Sequence, residues 1–270
     1  MLTLDDFRRC VVVMAHPDDE ILWASSLLAA AKKIILCYGD SPPEPAIGEG
    51  RRALLRDFPL KTVVGLNIAE SDVHLAVDWR HPVETAYGIQ CGRNGDAYAR
   101  NFHLLREALE DHLEECDIVV THNPWGEYGH EEHVQVYRAV ADVKRERNFR
   151  LFVTGYVSDR VLHFMERNMP RLGPAVAMLP TDKDLCQTLK LQYQAHKIWT
   201  WEDAYAWPDH ECFYEVRHPD APLRTDERTM VSLPLNILWL DGQLPAWRLK
   251  LRGLKRRLRA LAYRFSRRAG

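Results

Sequence analysis

The chain has 270 residues, of which 46% are hydrophobic and 27% charged, with 15 prolines and a formal net charge of −2. Such a composition excludes a disordered or fibrous protein, and no apolar run reaches the ~20 residues that a bilayer-spanning helix needs. The opening Met1-Leu2-Thr3-Leu4-Asp5-Asp6 lacks the basic and apolar regions of a secretory signal. The six cysteines contain no Cys-x-x-Cys pair and are expected to be reduced thiols of a cytoplasmic protein.

In chain order, Val11–Met14 reads as a strand and Glu20–Lys32 as an Ala/Leu-rich helix. Ile34–Tyr38 is a second strand, and Pro42, Pro43 and Pro45 then force a loop. Gly50–Phe58 reads as a helix and Thr62–Leu66 as a strand, followed by an irregular stretch over residues 70–95. Leu104, Leu105, Leu109 and Leu113 give Tyr98–Cys116 a helical period. Asp117–Thr121 is a strand, His130–Arg147 a helix and Leu151–Val157 another strand. Strand–helix alternation at this spacing predicts an α/β fold, a Rossmann-like and mostly parallel sheet with helices on both faces. After Tyr156 the pattern loosens. A helix is expected over Thr181–Gln194 with Thr181 as its cap, then an aromatic-rich stretch over Trp199–Tyr214 and a last strand over Leu233–Leu240.

The most informative segment is Met14-Ala15-His16-Pro17-Asp18-Asp19-Glu20, directly behind the apolar run Val11-Val12-Val13. It sets one imidazole and two carboxylates at the C-terminal edge of a buried strand, where open α/β sheets build their sites. Imidazole nitrogen and carboxylate oxygen suit Zn²⁺, which at catalytic sites takes three protein ligands and keeps one position open. His16 and Asp19 can supply two ligands and leave Asp18 to handle protons. Thr121-His122-Asn123-Pro124-Trp125-Gly126-Glu127-Tyr128-Gly129-His130-Glu131-Glu132-His133 offers the third. His130 and His133 project from one face of a helix start, one to serve as ligand and the other as an acid. Only two residues separate these histidines, so this is not the His-Glu-x-x-His protease helix. Glu20 reads as a helix-start carboxylate rather than a reactant.

The two blocks, Ala15 to Glu20 and Gly129 to His133, resemble those of the LmbE-like (PIG-L) family of metal-dependent N-deacetylases over residues 10–160. The resemblance implies His16, Asp19 and His133 as metal ligands, Asp18 as general base, His130 as the acid that protonates the leaving amine, and Tyr128 as a donor to the developing oxyanion. It implies Zn²⁺, with Fe²⁺ or another divalent metal as alternatives, and hydrolysis of an N-acetyl group from an amino sugar or sugar conjugate, leaving open whether the sugar is free, lipid-linked, nucleotide-linked or part of a natural product. Members of the family usually carry Pro-Asp where this chain has Glu131-Glu132. The usual Asp orients the first histidine; Glu132 is one methylene longer, so its carboxylate is expected to reach differently, which leaves the His130 role and the pH optimum open but not metal binding.

Other residues carry weaker signals. His122 and Asn123 are candidates for the pocket lining. Arg51, Arg52, Arg93 and Asn94 are candidates to bind hydroxyls or phosphate, weighed against a solvated surface. The tryptophan-rich stretch is weighed as a sugar-stacking wall against core packing.

The net charge also hides an asymmetry: residues 248–270 hold ten Lys/Arg and no acid. Trp247, Leu251, Leu254, Leu258, Leu261 and Phe265 fall on one helical face there, as in a helix that lies on an anionic membrane. Docking on the acidic body is the alternative, and nucleic acid is not an expected partner. The chain thus divides into a deacetylase domain (1–247) and a basic amphipathic tail (248–270), placed in the cytoplasm or at the inner face of its membrane. The competing functional readings are an amidase acting on a non-sugar N-acyl substrate and a non-catalytic binding subunit at a membrane.

Overall fold

The computed structural model describes residues 1–221, 234–238 and 240. The expected tail helix and the division at 247/248 lie outside them. The elements are β1 (Val11–Met14), α1 (Asp19–Trp23), β2 (Lys33–Asp40), α2 (Pro45–Arg56), β3 (Val63–Ala69), β4 (Glu84–Thr85), β5 (Gly88–Ile89), α3 (Gly95–His112), β6 (Ile118–Thr121) and α4 (Glu131–Glu146). They continue as β7 (Arg150–Thr154), β8 (Tyr156–Ser158), α5 (Leu162–Asn168), β9 (Leu172–Pro180), α6 (Lys183–Ala195), β10 (His210–Val216) and β11 (Asn236–Leu238).

The main sheet has the order β3-β2-β1-β6-β7-β10-β9. The first five strands run parallel, whereas β10 is antiparallel to both β7 and β9. Alternate residues of each central strand serve opposite faces, as a period of two requires. Val12, Met14, Ile34, Leu36, Val120 and Phe152 pack with Ile21, Leu189 and Tyr193 of α1 and α6. Val11, Val13, Ile35, Val119, Leu151 and Val153 meet Phe102, Leu105 and Leu109 of α3 and Val136, Ala139 and Val140 of α4. Burial on both faces explains why these strands read as continuous apolar runs, and the α/β expectation holds. Leu104, counted above with the α3 stripe, is half exposed and lies beside it.

Several elements differ from the sequence expectation for identifiable reasons. The first helix stops at Trp23 instead of reaching Lys32, because Glu211 of β10 accepts the backbone N–H groups of Ser25 (3.2 Å) and Ser26 (2.7 Å). Those amides are thereby taken from the helix ladder. Leu151–Val157 is two strands, β7 in the main sheet and β8 paired with β11. Asp182 rather than Thr181 caps α6, its side chain accepting the Leu185 N–H at 3.0 Å. Beyond Tyr156 the chain is more regular than its pattern suggests, since β9 and β10 extend the sheet by antiparallel pairing. Among the described residues no helix is long and apolar enough to cross a membrane.

The topology fixes where a site can form. From β1 the sheet runs to β2 and β3 on one side and to β6 and β7 on the other, so the connections leaving β1 and β6 diverge. A crevice opens at such a switch point, beyond the C-terminal ends of the strands. Both motif blocks start there, the first after Met14 and the second after Thr121.

Candidate metal centre and active site

The first block folds into a tight turn closed by the Asp19 side chain. The Asp19 N–H donates to the His16 carbonyl (3.1 Å), and the His16 N–H donates to Asp19 Oδ2 (2.7 Å). Asp18, between them, sits in the left-handed region at φ 106°, a strained conformation for a residue with a Cβ. It is held there from both sides. Glu20 Oε2 accepts the Asp18 N–H (3.1 Å), and the Thr200 hydroxyl donates to Asp18 Oδ2 (2.7 Å). Glu20 is buried, accepts the Tyr193 hydroxyl and takes no place in the cleft.

The second block turns from β6 into α4 through Gly126 and Gly129, at φ 68° and 88°. Only glycine suits Gly126, because a Cβ there would stand 2.5 Å from the His130 carbonyl oxygen. His130 caps α4, its Nδ1 accepting the Glu132 N–H at 3.2 Å. Three residues later His133 projects from the same first turn.

These turns bring the sequence-assigned ligands together. Asp19 Oδ2 lies 3.1 Å from His16 Nδ1 and 3.3 Å from His133 Nε2. Its other oxygen, Oδ1, accepts the Trp23 indole N–H at 2.9 Å, so Oδ2 alone faces the two imidazoles. His133 Nδ1 is engaged by Glu127 at 2.7 Å, whereas its Nε2 is buried without a hydrogen-bond partner. A buried nitrogen without a hydrogen-bond partner, beside a carboxylate oxygen and a second imidazole, is the donor set of a divalent metal. The residues fit the ion.

Other ligand-type groups surround this one, among them His16 with His130 and His133, and several of the neighbouring donor atoms are already engaged. His122 Nε2, 3.4 Å from Asp19 Oδ2, accepts the Ala15 N–H at 2.9 Å. Glu131, near His74 and His130, accepts the backbone N–H groups of Leu75, Ala76 and Val77 and so anchors the irregular 70–95 segment. Glu70 binds Arg51 (2.5 Å) and the Ser41 hydroxyl (2.7 Å). Burial pushes the Glu70 carboxyl up, but the Arg51 guanidinium overrides it and holds the group down at about 2.

Glu132 does reach differently from a partner of the first histidine. Its carboxylate meets His16 Nε2 at 2.9 Å and the Ser71 N–H at 2.6 Å, and only its backbone N–H reaches His130. The carboxylate faces the opposite edge of His16 from Asp19, where it orients that ring. The extra methylene carries it past His130.

The cleft above the cluster encloses about 490 Å³ and is lined by His16, Asp18, Asp19, Tyr128, His130, Thr200 and Trp201, among others. Burial, reinforced by the neighbouring Asp19 carboxylate, pushes the Asp18 carboxyl up to about 7, with the Thr200 hydroxyl pulling the other way. A carboxyl near 7 can both take and return a proton at neutral pH. Burial, and then His133, holds His130 well below the ordinary histidine value. With Nδ1 accepting the Glu132 N–H, a neutral ring carries its proton on Nε2. Burial raises the Tyr128 phenol well above its usual value, so it remains a hydrogen-bond donor.

Several weaker candidates resolve. Of the aromatic stretch, Trp201 alone reaches the cleft, its ring 5.3 Å from Tyr128 and 5.2 Å from Trp23. Trp199 and Trp207 flank Lys190 instead. Arg51 lines the cleft locked to Glu70, Arg52 pairs with Asp40, and Arg93 donates to the carbonyls of Asp72 and His74 with Asn94 beside it. His122 and Asn123 are fully buried beneath the cleft rather than lining it.

Two residues escaped the sequence reading, Thr200 and Glu127. Nothing local marks Thr200. Glu127 carried a signal, as the only formally charged residue between Ile118 and Tyr128.

Comparison with known proteins finds deacetylases. No family model matches the chain. Over 150 residues it is 29% identical to a 1D-myo-inositol 2-acetamido-2-deoxy-alpha-D-glucopyranoside deacetylase from Corynebacterium kroppenstedtii, covering 47% of this chain. The chain spans only 38% of that relative's length. Among solved structures it is similar to a teicoplanin deacetylase in a zinc-inhibited form (TM-score 0.51, 14% identity) and to a deacetylase–teicoplanin complex from the teicoplanin pathway (TM-score 0.50, 12% identity). Each match covers 79% of this chain and 100% of the other. At such identities the structures speak for the fold. The LmbE-like resemblance read from Ala15–Glu20 and Gly129–His133 is borne out.

Proposed function

We propose that this chain, with the fold and paired motifs of the LmbE-like proteins, is a divalent-metal-dependent N-deacetylase that removes the acetyl group from an N-acetylated amino sugar or sugar conjugate. One observation carries the reading: His16 Nδ1, Asp19 Oδ2 and the unpartnered His133 Nε2 converge beside the buried Asp18 carboxyl. The named activity of the sequence relative, on an acetamido sugar, supports the substrate class.

His16, Asp19 and His133 would hold the metal. Two nitrogens and one oxygen suit Zn²⁺ and also Fe²⁺. When bound, the ion supplies a Lewis acid that polarises the acyl carbonyl and acidifies water.

The chain's own residues account for the protons. Asp18 accepts one from the attacking water as the new C–O bond forms. The carbonyl oxygen gains negative charge and receives hydrogen bonds from His130 Nε2–H and from the Tyr128 phenol. Cleavage of the C–N bond expels the amine, and Asp18 returns its proton to that nitrogen. Water and amide are consumed, acetate and a free amine are produced, and Asp18 ends as it began. His130 keeps the catalytic place that its motif suggested. Burial favours its neutral form, which suits a hydrogen-bond donor better than a cationic acid.

Trp201 and Tyr128 offer aromatic faces suited to a pyranose ring. Release of acetate together with a free amine from N-acetylglucosamine conjugates tests the proposal.

A further inference from the structure

We infer that Glu127 is a positioning residue that joins the two halves of the metal site, by fixing the ring protons of both His122 and His133 on Nδ1. The inference rests on His133 being a metal ligand, as proposed above.

Glu127 is fully buried and sits in the left-handed region at φ 53°. An ionised carboxylate survives without water only when protein donors fill its lone pairs. Here they do. Oε1 accepts the Asn123 N–H (3.1 Å) and the Thr154 hydroxyl. Oε2 faces two ring nitrogens, His122 Nδ1 at 3.0 Å and His133 Nδ1 at 2.7 Å. One carboxylate oxygen satisfies both rings only if both nitrogens carry hydrogen.

A separate contact fixes the His122 tautomer independently. Its Nε2 accepts the Ala15 N–H at 2.9 Å, so that nitrogen is bare and the ring proton lies on Nδ1. The His122 and His133 rings stack on one another, with centroids 3.9 Å apart and planes 20° apart.

A continuous path follows from these contacts. Ala15, at the end of β1 and next to His16, is tied to His122, then to Glu127, then to His133 on α4. The carboxylate therefore does two things. It leaves His133 Nε2 bare and directed at Asp19, and it holds the turn carrying His16 and Asp19 at a set distance from α4. Its backbone is anchored in turn, since Asn123 Oδ1 accepts the Glu127 N–H at 2.9 Å.

Glutamine in this place has one acceptor oxygen and one donor amide. Its N–H groups would confront either the Asn123 and Thr154 donors or the two imidazole N–H groups. Relief moves a ring proton to Nε2, and on His133 that blocks the ligand lone pair. Aspartate keeps the charge at a shorter reach.

The test uses the full chain without metal or substrate first. Long-range ¹H–¹⁵N correlation of the histidine rings, with assignments from His122→Gln and His133→Gln, should show the Nδ1–H form for both His122 and His133. An Nε2–H form of His133 in the native protein would overturn the inference. Chelator competition with Zn²⁺ should then give about 10- to 100-fold weaker binding for Glu127→Gln, with partial recovery in Glu127→Asp. A folded Glu127→Gln protein with native Zn²⁺ affinity would also overturn it. If Glu127→Gln does not fold, the ring tautomers of the native protein still decide. None of these measurements involves acetate release, so a protein that passes them yet hydrolyses no N-acetyl sugar refutes the deacetylase reading alone.

Discussion

Thr200 donates its hydroxyl to Asp18 Oδ2 at 2.7 Å across 182 residues of sequence. The bond ties the aromatic stretch after α6 to the strained residue between two motif positions. It also favours the ionised form of Asp18, against burial and the Asp19 charge that raise it. Loss of the hydroxyl therefore raises the pKa of Asp18. In Thr200→Val the acidic limb of the pH profile of kcat/KM should move to higher pH, because Asp18 must be ionised to accept a proton. The plateau at alkaline pH should stay near that of the native protein. A limb that stays in place, or moves to lower pH, would separate Thr200 from the base.

Asp18→Asn should bind Zn²⁺ as the native chain does, since the three ligand side chains remain. Its kcat should fall roughly 10²- to 10⁴-fold, the range attributed to a positioned base. Metal content by atomic emission, measured on the samples used for kinetics, checks both halves. Near-native turnover would reduce Asp18 to a turn residue.

The legibility of the site followed sequence distance. His16, Asp18 and Asp19 are neighbours on one turn behind a buried strand, so strand pattern and side-chain chemistry sufficed to place them. His130 and His133 were legible for the same reason, as one helical turn. The target of Glu132 stayed open because it depends on how α4 sits against β1, and no local pattern records that. Thr200 and Glu127 act on residues of other elements in the same way. The first helix was drawn too long because Glu211, far along the chain, removes the Ser25 and Ser26 amides from it. The parallel half of the sheet was plain from its apolar runs. By contrast, β9 and β10 carry Gly173, Pro174, Glu211 and Glu215 and were hidden by weak strand character.

Trp201 lies on the wall of the cleft, edge-on to Tyr128 and Trp23. A sugar ring held by its face gains binding without a change in the reacting amide, so Trp201→Ala should raise KM with little change in kcat. Aromatic contacts of about 0.5–1.5 kcal/mol correspond to roughly a 2- to 10-fold rise. Steady-state kinetics on a soluble N-acetylglucosaminide provides the check, and an unchanged KM would remove Trp201 from the substrate site.

The central claim is a metal-dependent loss of acetyl from nitrogen on a sugar. The full chain, stripped by chelator and reloaded with one equivalent of Zn²⁺, should be incubated with neutral, lipid-linked and nucleotide-linked N-acetylglucosamine conjugates, and acetate and free amine quantified together by mass spectrometry. Equal amounts of the two products are expected from at least one conjugate, only in the reloaded protein, and not from His133→Ala, which should fail to retain the metal. Stoichiometric Zn²⁺ binding with no acetate from any conjugate, or acetate release that persists in the stripped protein, would contradict the account.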